Sequence, residues 1–428
     1  VRLGRFMQTA LLSGKATRKA EAAVFHSLIF FGFLILVAAT VIVAVQMDTP
    51  FDIFHGWLYI GVSFLADIAG VAVLLGVFYA MYRRYIRKPG HLDATLKQND
   101  TLMFILIIAL IVVGYLLEGL RIEGTRNAVE AGQDVLFSPG DRLWSPVGWW
   151  VAGLLHSAGM SEQGLAGLWR AGWIFHMVNT MAFIALVPYT RLAHIALFPL
   201  QALVSRERQG AVLEPMDFED EDAETFGLGK VSELSVRNRL DLLACIECGR
   251  CTLACPANMA EKPLDPKRIV TKVRDLALSS RDDAELWGDD PIYTPDELDS
   301  CTTCGSCMEE CPASIEHINI IMGAKRYKVL TLGDIPAAAA DAVGKVQAAG
   351  NPWGMPQDER FDWADGLDVP LAEAGRKVDY LYYVGCAGAY DQANQRVVKD
   401  TVALLKAADV DFAVIGKSEK CNGDPVRR

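Results

Sequence analysis

Four long apolar stretches in the first half of the 428-residue chain restrict its fold more than any other feature. Each has roughly the 20 residues that an α-helix needs to cross the hydrocarbon core of a bilayer. The sequence therefore predicts an all-α transmembrane helix bundle. The expected spans cover about residues 24–45, 57–82, 101–117 and 165–189, and a shorter apolar segment, 146–155, is expected to lie at the interface or to re-enter the membrane.

Basic residues set the expected orientation of these spans. Five Lys and Arg residues precede the first span, and Arg83, Arg84, Arg87 and Lys88 follow the second, whereas the loop between the two spans has none. The positive-inside rule then places both basic ends in the cytoplasm. Four spans return the chain to the cytoplasm near Arg191, so the second half of the chain is predicted to be cytoplasmic.

The two halves of the chain differ in charge and in cysteine content. Residues 1–210 have 17 Lys and Arg against 13 Asp and Glu, residues 211–428 have 24 against 39, and all ten cysteines follow residue 244. The acidic balance argues against a nucleic-acid-binding protein. In a reducing cytoplasm, clustered cysteines indicate metal or redox chemistry more than structural disulfides.

Two cysteine runs, at 245–256 and 301–312, both read C-x2-C-x2-C-x3-C-P. In two-cluster ferredoxins, three cysteines of such a run ligate one [4Fe–4S] cluster and the fourth ligates the other cluster. Zinc sites also use C-x2-C pairs, but two repeats of four cysteines fit iron–sulfur clusters better. The pattern predicts cluster one on Cys245, Cys248, Cys251 and Cys311, and cluster two on Cys301, Cys304, Cys307 and Cys255.

The sequence between the two runs predicts an α-helical ferredoxin domain of the longer, helix-wrapped type. One helix is expected at 266–286. A second should begin at Thr294-Pro-Asp-Glu297, which has the pattern of a capping box with proline at the first helical position.

Four histidines are expected at matching depths in the membrane bundle. His26 and His194 lie at the cytoplasmic ends of their spans, and His55 and His176 lie toward the outer side. His176 and His194 are 18 residues apart, which is five helical turns and therefore the same helix face. Because neutral imidazole is an axial haem ligand, the pattern predicts two b-type haems, one on His26 and His194 and one on His55 and His176. If His55 is only an interfacial anchor, His156 takes its place.

A carboxylate, Asp67, lies midway through the second span. Insertion of a charged carboxylate at that depth costs on the order of 2.5–3.5 kcal/mol, so Asp67 should face a partner or a wet cavity. Two interpretations stay open: a proton route or a contact to haem or quinone, and a hydrogen bond to a neighbouring helix. Near the outer surface, Glu118, Arg121 and Arg170 are candidates for a quinone site, or else solvated interfacial charges.

The last fifty residues predict an α/β unit. Strands are expected at 380–384 and 411–415, with an amphipathic helix at 395–407 between them. Cys386 follows the first strand and Cys421 the second, so both should meet at one edge of a parallel sheet, where such folds bind ligands. Two cysteines cannot hold a cluster alone, and the chain is therefore expected to be part of a longer protein.

The membrane half resembles the nitrate reductase gamma-subunit family of b-haem, quinone-reactive proteins. The resemblance rests on His26 and on the 18-residue spacing between His176 and His194. The family pattern would place another histidine ten residues after His26, where this chain has Leu36. The second ligand of the outer haem, His55, is therefore predicted on topological grounds.

The cysteine half resembles the catalytic subunit of membrane-bound heterodisulfide reductase, in which a ferredoxin pair is followed by cysteine-rich CCG domains. Cys386 and Cys421 match the first such domain, and Asn422 occupies the place of its second adjacent cysteine. This resemblance implies a further iron–sulfur cluster at Cys386 and Cys421.

The fusion of both halves resembles the membrane iron–sulfur reductases that include electron-transfer-flavoprotein:menaquinone oxidoreductases. The resemblance implies a respiratory enzyme of a prokaryotic cell membrane that passes electrons from reduced electron-transfer flavoprotein through two [4Fe–4S] clusters and two b haems to menaquinone or another quinone. Two alternatives remain, namely a thiol/disulfide:quinone oxidoreductase and a non-catalytic electron-transfer subunit of a larger complex.

The predicted organisation is multidomain. It comprises a transmembrane b-haem domain at 1–203, a linker at 204–235, a 2[4Fe–4S] ferredoxin-type domain at 236–334, a second linker at 335–377 and an incomplete CCG-type α/β domain at 378–428.

Overall fold

The computed structural model describes residues 4, 6–7, 14–51, 53–92, 97–130, 144–204, 213, 215–221, 224–279, 283–288 and 290–427. The chain divides into two compact units. The first contains residues 1–214 and 230–321, and the second contains residues 215–229 and 322–428. The apolar helices and both cysteine runs therefore lie in the same unit.

Four helices of the first unit are long and apolar enough to cross a membrane, judged by length and composition. These are α1 (Ala20–Asp48), α2 (Gly56–Met81), α3 (Lys97–Glu130) and α5 (Glu162–Leu186). Large apolar side chains such as Phe31 and Val41 are exposed along α1, as expected of a surface that faces lipid rather than water. The four helices predicted from the apolar stretches are thus confirmed.

Glycines bring α1 and α2 into close contact. A Cβ atom at Gly32 of α1 would lie 2.7 Å from the Val73 side chain, and one at Gly76 of α2 would lie 2.7 Å from Ile29. Small residues let helix backbones approach closely where lipid tails provide no hydrophobic driving force. The two helices therefore pack through backbone contact at both levels.

A short helix, α4 (Pro146–Ser157), corresponds to the apolar segment that is too short to span. The backbone N–H of Val147, at its start, donates to Asp67 Oδ2 at 2.8 Å. Further along α4, Ala152 packs with Tyr59, near the beginning of α2. Because Asp67 lies well inside α2, the N-terminal end of α4 reaches into the bundle, which favours the re-entrant interpretation. Asp67 makes the predicted hydrogen bond to a neighbouring helix, and its role in a proton route stays a prediction.

The expected helical stretch through His176 and His194 is interrupted. Helix α5 ends at Leu186, two 3₁₀ turns follow at Val187–Tyr189 and Arg191–Ala193, and α6 (His194–Val204) begins at the histidine itself. Pro188 has no N–H to continue the ladder, and Thr190 is extended, with φ −129° and ψ 174°. The argument that both histidines share one helix face is therefore wrong.

The remaining part of the first unit surrounds the cysteine runs with short helices. The predicted capping box is confirmed, because Glu297 N–H donates to Thr294 Oγ1 at 3.2 Å and Thr294 N–H donates to Glu297 Oε2 at 3.4 Å. The helix expected at 266–286 begins at Pro266 but ends at Ser279. The helices are α7 (Val236–Ala244), α8 (Arg250–Leu253), α9 (Pro256–Met259), α10 (Pro266–Ser279), α11 (Pro295–Asp299), α12 (Ser306–Glu310) and α13 (His317–Arg326).

The second unit contains the predicted parallel pair of strands, β1 (Tyr380–Tyr382) and β2 (Phe412–Val414), with Tyr380 opposite Phe412. Helix α16 (Gln392–Ala407) connects them, and Asp391 caps its start. The segment expected to be a second linker, 335–377, is folded. It contains α14 (Ala337–Ala349) and a 3₁₀ helix at Asp358–Ala364, and Trp363 packs in one core with Val398 and Phe412. Two short α-helices, α15 (Gly385–Tyr390) and α17 (Asp424–Arg427), also belong to this unit.

We predict that Asp67→Ala lowers the thermal unfolding midpoint of the purified protein in detergent. The variant leaves the N–H of Val147 without its acceptor inside the bundle, which costs about 1–3 kcal/mol. Asp48→Ala, which removes an exposed carboxylate at the end of α1, is the matched control and should leave the midpoint unchanged. An unchanged midpoint in Asp67→Ala would show that the hydrogen bond from Val147 N–H to Asp67 does not stabilise the fold.

Candidate functional site

The cysteines predicted for cluster two line one cavity. Cys255, the last cysteine of the first run, faces this cavity together with Cys301, Cys304 and Cys307 of the second run, and Ile318 and Ile321 of α13 form part of its wall. The fourth cysteine of one run thus lies with the first three of the other, which is the crossed grouping that the motif predicts.

The cysteines predicted for cluster one are also grouped. Cys245, Cys248 and Cys251 lie close enough to Cys311 for their charges to interact. Backbone N–H groups point at sulfur in both groups, since Ile315 N–H donates to Cys311 Sγ at 3.5 Å and Thr303 N–H donates to Cys301 Sγ at 3.4 Å. Such donors stabilise negative charge on sulfur and tune a bound cluster.

The two cysteine loops repeat the same unusual backbone. In the first loop, φ is 54° at Glu247 and 71° at Gly249, and at the equivalent positions of the second loop it is 55° at Thr303 and 83° at Gly305. Left-handed conformations are uncommon for residues other than glycine. The repeated pair curls each loop tightly, so that its first three cysteines surround a common centre.

The thiols are suited to metal rather than to free acid–base chemistry. Burial raises the pKa of Cys245 to about 11 and that of Cys307 to about 12, so both stay protonated at neutral pH unless a metal binds the thiolate. Burial is the largest single influence on the pKa of Cys304 and acts to raise it, but hydrogen bonds with Ser306, Thr302 and the backbone together outweigh burial and leave that pKa lowered. Eight soft sulfur donors in two groups of four fit two [4Fe–4S] clusters.

No three His, Cys, Asp or Glu side chains in the described part of the chain are grouped tightly enough to hold a single metal ion.

The histidines predicted for the inner haem lie near each other. His26 of α1 is close enough to His194 for their charges to interact, and its Nδ1 atom is buried with no hydrogen-bond partner among the described residues. His194 Nδ1 lies 2.6 Å from the carbonyl of Arg191, a contact that orients the ring and leaves Nε2 for a metal. Both rings therefore fit axial ligation.

The histidines predicted for the outer haem have different surroundings. His176 Nδ1 is buried without a partner, and a Cβ atom at Gly114 of α3 would lie 3.7 Å from the His176 ring. His55 is exposed at the start of α2. The alternative ligand, His156, is exposed and its Nδ1 lies 2.8 Å from Glu123 Oε1, so that ring already has an acidic partner.

Two of the three charged residues considered for a quinone site, Glu118 and Arg121, lie close enough for their charges to interact. Glu118 lies beside Asp67, and its carboxylate packs against Gly148 of α4. Arg121 lies over the ring of Tyr59, 5.7 Å from its centroid. Arg170 is exposed on α5. Arg170 is therefore not part of the group that surrounds the start of α4.

In the second unit, Cys386 and Cys421 lie close enough to each other for their charges to interact. Arg360 Nη1 donates to Cys386 Sγ at 3.4 Å, and Arg360 Nη2 donates to Glu419 Oε1 at 2.7 Å. Burial raises the pKa of Cys386 in spite of the nearby guanidinium. The expected meeting of the two cysteines at the ends of adjacent strands is thus present in the structure.

The sequence pattern does not single out Arg360 or Glu419, which are 59 residues apart and almost completely buried. Glu419 also accepts hydrogen bonds from the N–H groups of Val384 and Gly385, at 3.0 and 2.8 Å. A charged pair of this kind fixes the turn that carries Cys386. One sequence feature does indicate that this segment is folded. Phe361 and Trp363 follow Arg360 closely, and two aromatic residues are unusual in a solvated linker.

Comparisons with known proteins indicate the class of protein to which the chain is similar. The family model for the 4Fe-4S dicluster domain matches residues 241–315, a range that contains both cysteine groups. A membrane-length helix bundle joined to such a domain defines a membrane-anchored iron–sulfur protein.

Curated relatives narrow the class further. The chain is 33% identical to the EtfAB:quinone oxidoreductase of Syntrophomonas wolfei subsp. wolfei over 97% of this chain and 62% of that protein. It is 28% identical to the probable iron-sulfur-binding oxidoreductase FadF of Bacillus subtilis, over 97% of this chain and 63% of that protein. It is 30% identical to one subunit of the dihydromethanophenazine:CoB--CoM heterodisulfide reductase of Methanosarcina barkeri, over 44% of this chain and 47% of that protein.

The chain is therefore similar to iron–sulfur oxidoreductases of the EtfAB:quinone oxidoreductase and heterodisulfide reductase type, and the predicted resemblance to these two groups is confirmed. The chain spans somewhat less than two thirds of the length of the first two relatives. No solved structure matches it significantly.

We predict that alanine variants of the cysteines separate into two crossed groups. Cys311→Ala should abolish the same EPR signal as Cys248→Ala, and Cys255→Ala the same signal as Cys304→Ala, because each fourth cysteine ligates the cluster of the other run. Each variant should lose about half of the iron of these two clusters. Cys386→Ala is the control and should keep both signals. If Cys255→Ala instead removes the signal that Cys248→Ala removes, the crossed assignment is wrong.

Proposed function

We propose that the chain forms the membrane and ferredoxin part of a respiratory oxidoreductase that passes electrons from a cytoplasmic donor to a quinone. The two [4Fe–4S] clusters would lie on the crossed cysteine groups, and two b haems would lie on the four histidines. The observation that carries the proposal is the meeting of His26 and His194 in the same folded unit as both cysteine groups.

The residues of the chain serve to hold, orient and shield the redox groups. The clusters and haems supply one-electron transfer between a two-electron donor and a two-electron acceptor. Cys245, Cys251 and Cys311 are buried, and this burial excludes water from the first cluster site. The contact between His194 Nδ1 and Arg191 fixes the ring that would face the inner haem.

Reduced electron-transfer flavoprotein is the proposed donor. The name of the Syntrophomonas relative includes EtfAB and quinone, and that relative matches nearly the whole of this chain. The second half of this chain, residues 211–428, has a net charge of −15 from 24 basic and 39 acidic residues. Complementary charge raises the rate at which a protein donor finds its docking surface. Menaquinone in the cell membrane of a prokaryote is the proposed acceptor.

A thiol/disulfide:quinone oxidoreductase is the second candidate function. It is favoured by the likeness to the heterodisulfide reductase of Methanosarcina barkeri and by the pair formed by Cys386 and Cys421 beside Arg360. On either function, these two cysteines would supply part of a further iron–sulfur site whose other ligands lie elsewhere.

The histidine assignment predicts selective loss of haem. His26→Ala and His194→Ala should each remove the same single b haem, and His176→Ala should remove the other, because bis-histidine ligation needs both rings. The haem-to-protein ratio and the reduced-minus-oxidised spectrum measure the loss.

The second ligand of the outer haem is tested with a matched pair of variants. His55→Ala should lose the outer haem, whereas His156→Ala, at another exposed outer histidine, should keep it. The opposite result would assign the ligand to His156. Wild-type protein without b-type haem would refute the membrane relay.

The donor assignment predicts a kinetic difference. In nanodiscs that contain menaquinone, the protein should show haem reduction within one turnover when it is mixed with reduced electron-transfer flavoprotein. A dithiol substrate should give no comparable phase. Fast reduction by the dithiol alone would favour the second function, and inertness toward both donors would favour an electron-transfer subunit whose active site lies in another chain.

A further inference from the structure

The loop of the first cysteine run is packed against the end of the membrane bundle that carries His26 and His194. A Cβ atom at Gly249 would lie 2.3 Å from the carbonyl oxygen of His91, which belongs to the short 3₁₀ helix Gly90–Leu92 between α2 and α3. Lys267 Nζ donates to the same carbonyl at 3.1 Å. Only glycine allows the loop to approach this closely.

Arg250, between the second and third cysteines of this run, connects the loop to the segment before α1. Its Nη1 donates to the carbonyl of Lys15 at 2.8 Å, and its Nη2 donates to the carbonyl of Ala16 at 2.7 Å. The side chain is buried, and its charge lies close enough to His26 to act on that ring. Arg250 therefore lies between the first cysteine group and a proposed haem ligand.

Glu247, between the first and second cysteines, makes a second connection. Its Oε2 lies 3.3 Å from Arg191 Nη2, and Arg191 precedes His194 by three residues. Its Oε1 lies 2.7 Å from Arg274 Nη2 of α10. On the other side of the loop, Arg83 at the end of α2 is close enough to act on the charge of Cys248.

The loop of the second run lacks these connections. The residues equivalent to Glu247 and Arg250 are Thr303 and Ser306, and no described atom lies within 4 Å of a Cβ built on Gly305. Cys304 is exposed. The second run does approach the segment before α1. Arg18 Nη1 lies 2.6 Å from Glu309 Oε1 and donates to the Glu309 carbonyl at 3.3 Å, and Lys19 lies 3.9 Å from Glu310. Arg18, Lys19 and Glu309 are exposed, however, and such surface pairs contribute little.

We propose that cluster one is the carrier next to the membrane, that cluster two receives electrons from the donor side, and that Arg250 is the positioning residue for the step into the membrane. This inference rests on the proposed function. In this step, one electron would pass from the cluster held by the first cysteine run to the haem held by His26 and His194, with no proton moved and no bond broken. Electron tunnelling slows steeply with distance. The contact between the first cysteine loop and the bundle therefore sets the rate of electron transfer from cluster one to the haem.

The order of the clusters is tested with photoreduced deazaflavin as a small electron donor that reaches either cluster. Cys255→Ala, which removes cluster two, should keep the fast phase of haem reduction measured optically. Cys311→Ala, which removes cluster one, should lose that phase and retain only the slow direct reduction of haem. Loss of the fast phase in Cys255→Ala with its retention in Cys311→Ala would overturn the proposed order.

The role of Arg250 is tested with Arg250→Gln and with Arg18→Gln as the control that removes the same charge at the second run. Iron and haem contents verify that both variants are folded and loaded. Arg250→Gln should lose the fast phase and shift the midpoint potential of cluster one to a more negative value, because a nearby positive charge stabilises the reduced cluster. Cluster two should keep its potential. Arg250→Lys should restore the potential more than the rate, since lysine keeps the charge without the paired donors.

The haem measurement distinguishes failure of the proposed relay from failure of the proposed role of Arg250. Protein without haem would refute the proposed relay as a whole. Fully loaded Arg250→Gln that reduces its haem as fast as Arg18→Gln, with an unshifted cluster potential, would refute the positioning role and leave the relay standing.

Discussion

The contact between the first cysteine run and the apolar helices depends on one buried carboxylate. Glu247 is only 3% exposed, and its two oxygens are held by Arg191 and Arg274. A charge removed from water costs several kcal/mol unless charged partners replace the lost hydration. One partner belongs to the segment before α6 and the other to α10. The carboxylate is therefore fully paired only while the ferredoxin part and the helix bundle are in contact, which makes the contact specific.

A second buried carboxylate, that of Asp241, also connects the ferredoxin part to the helix bundle and is likewise paired with polar partners. Asp241 of α7 is completely buried, and it accepts hydrogen bonds from the side chain of Gln201 and from the N–H of Glu316, the latter at 2.8 Å. Arg237 lies 3.1 Å from it and also donates to the carbonyl of Gln201 at 3.0 Å. Helix α6, which begins at His194, is thus connected to the ferredoxin part at both of its ends.

Local patterns in the sequence predict much of this molecule. Apolar length predicts four helices, cysteine spacing predicts the two groups of four, and Thr294 with Glu297 predicts a capping box, because each of these features depends on residues close together in the chain. The break between His176 and His194 is different. Pro188 indicates a kink in the helix. The extended conformation of Thr190, however, depends on packing, which the periodicity of the sequence does not show.

Long-range pairing explains the remaining differences. Arg360 lies in a segment whose Ala, Pro and Gly content is typical of a linker. Its pairing with Glu419 and the packing of Trp363 against Val398 and Phe412 show why the segment is folded. Arg250 and Glu247 are visible in the sequence as ordinary charged residues between cysteines. Their partners, Ala16 and Arg191, are 234 and 56 residues away, so spacing alone cannot indicate which cysteine run faces the helix bundle.

The two cysteine runs have the same backbone and differ in the side chains that flank the cysteines. The left-handed pairs at Glu247 and Gly249 and at Thr303 and Gly305 show that both loops can surround equivalent clusters. Any difference in task between the two sites must therefore come from side chains that face outward. Glutamate and arginine in the first loop bind the bundle, whereas the equivalent positions of the second loop are threonine and serine. On the proposed function, the repeat supplies two similar carriers, and these four side-chain positions give the pair its direction.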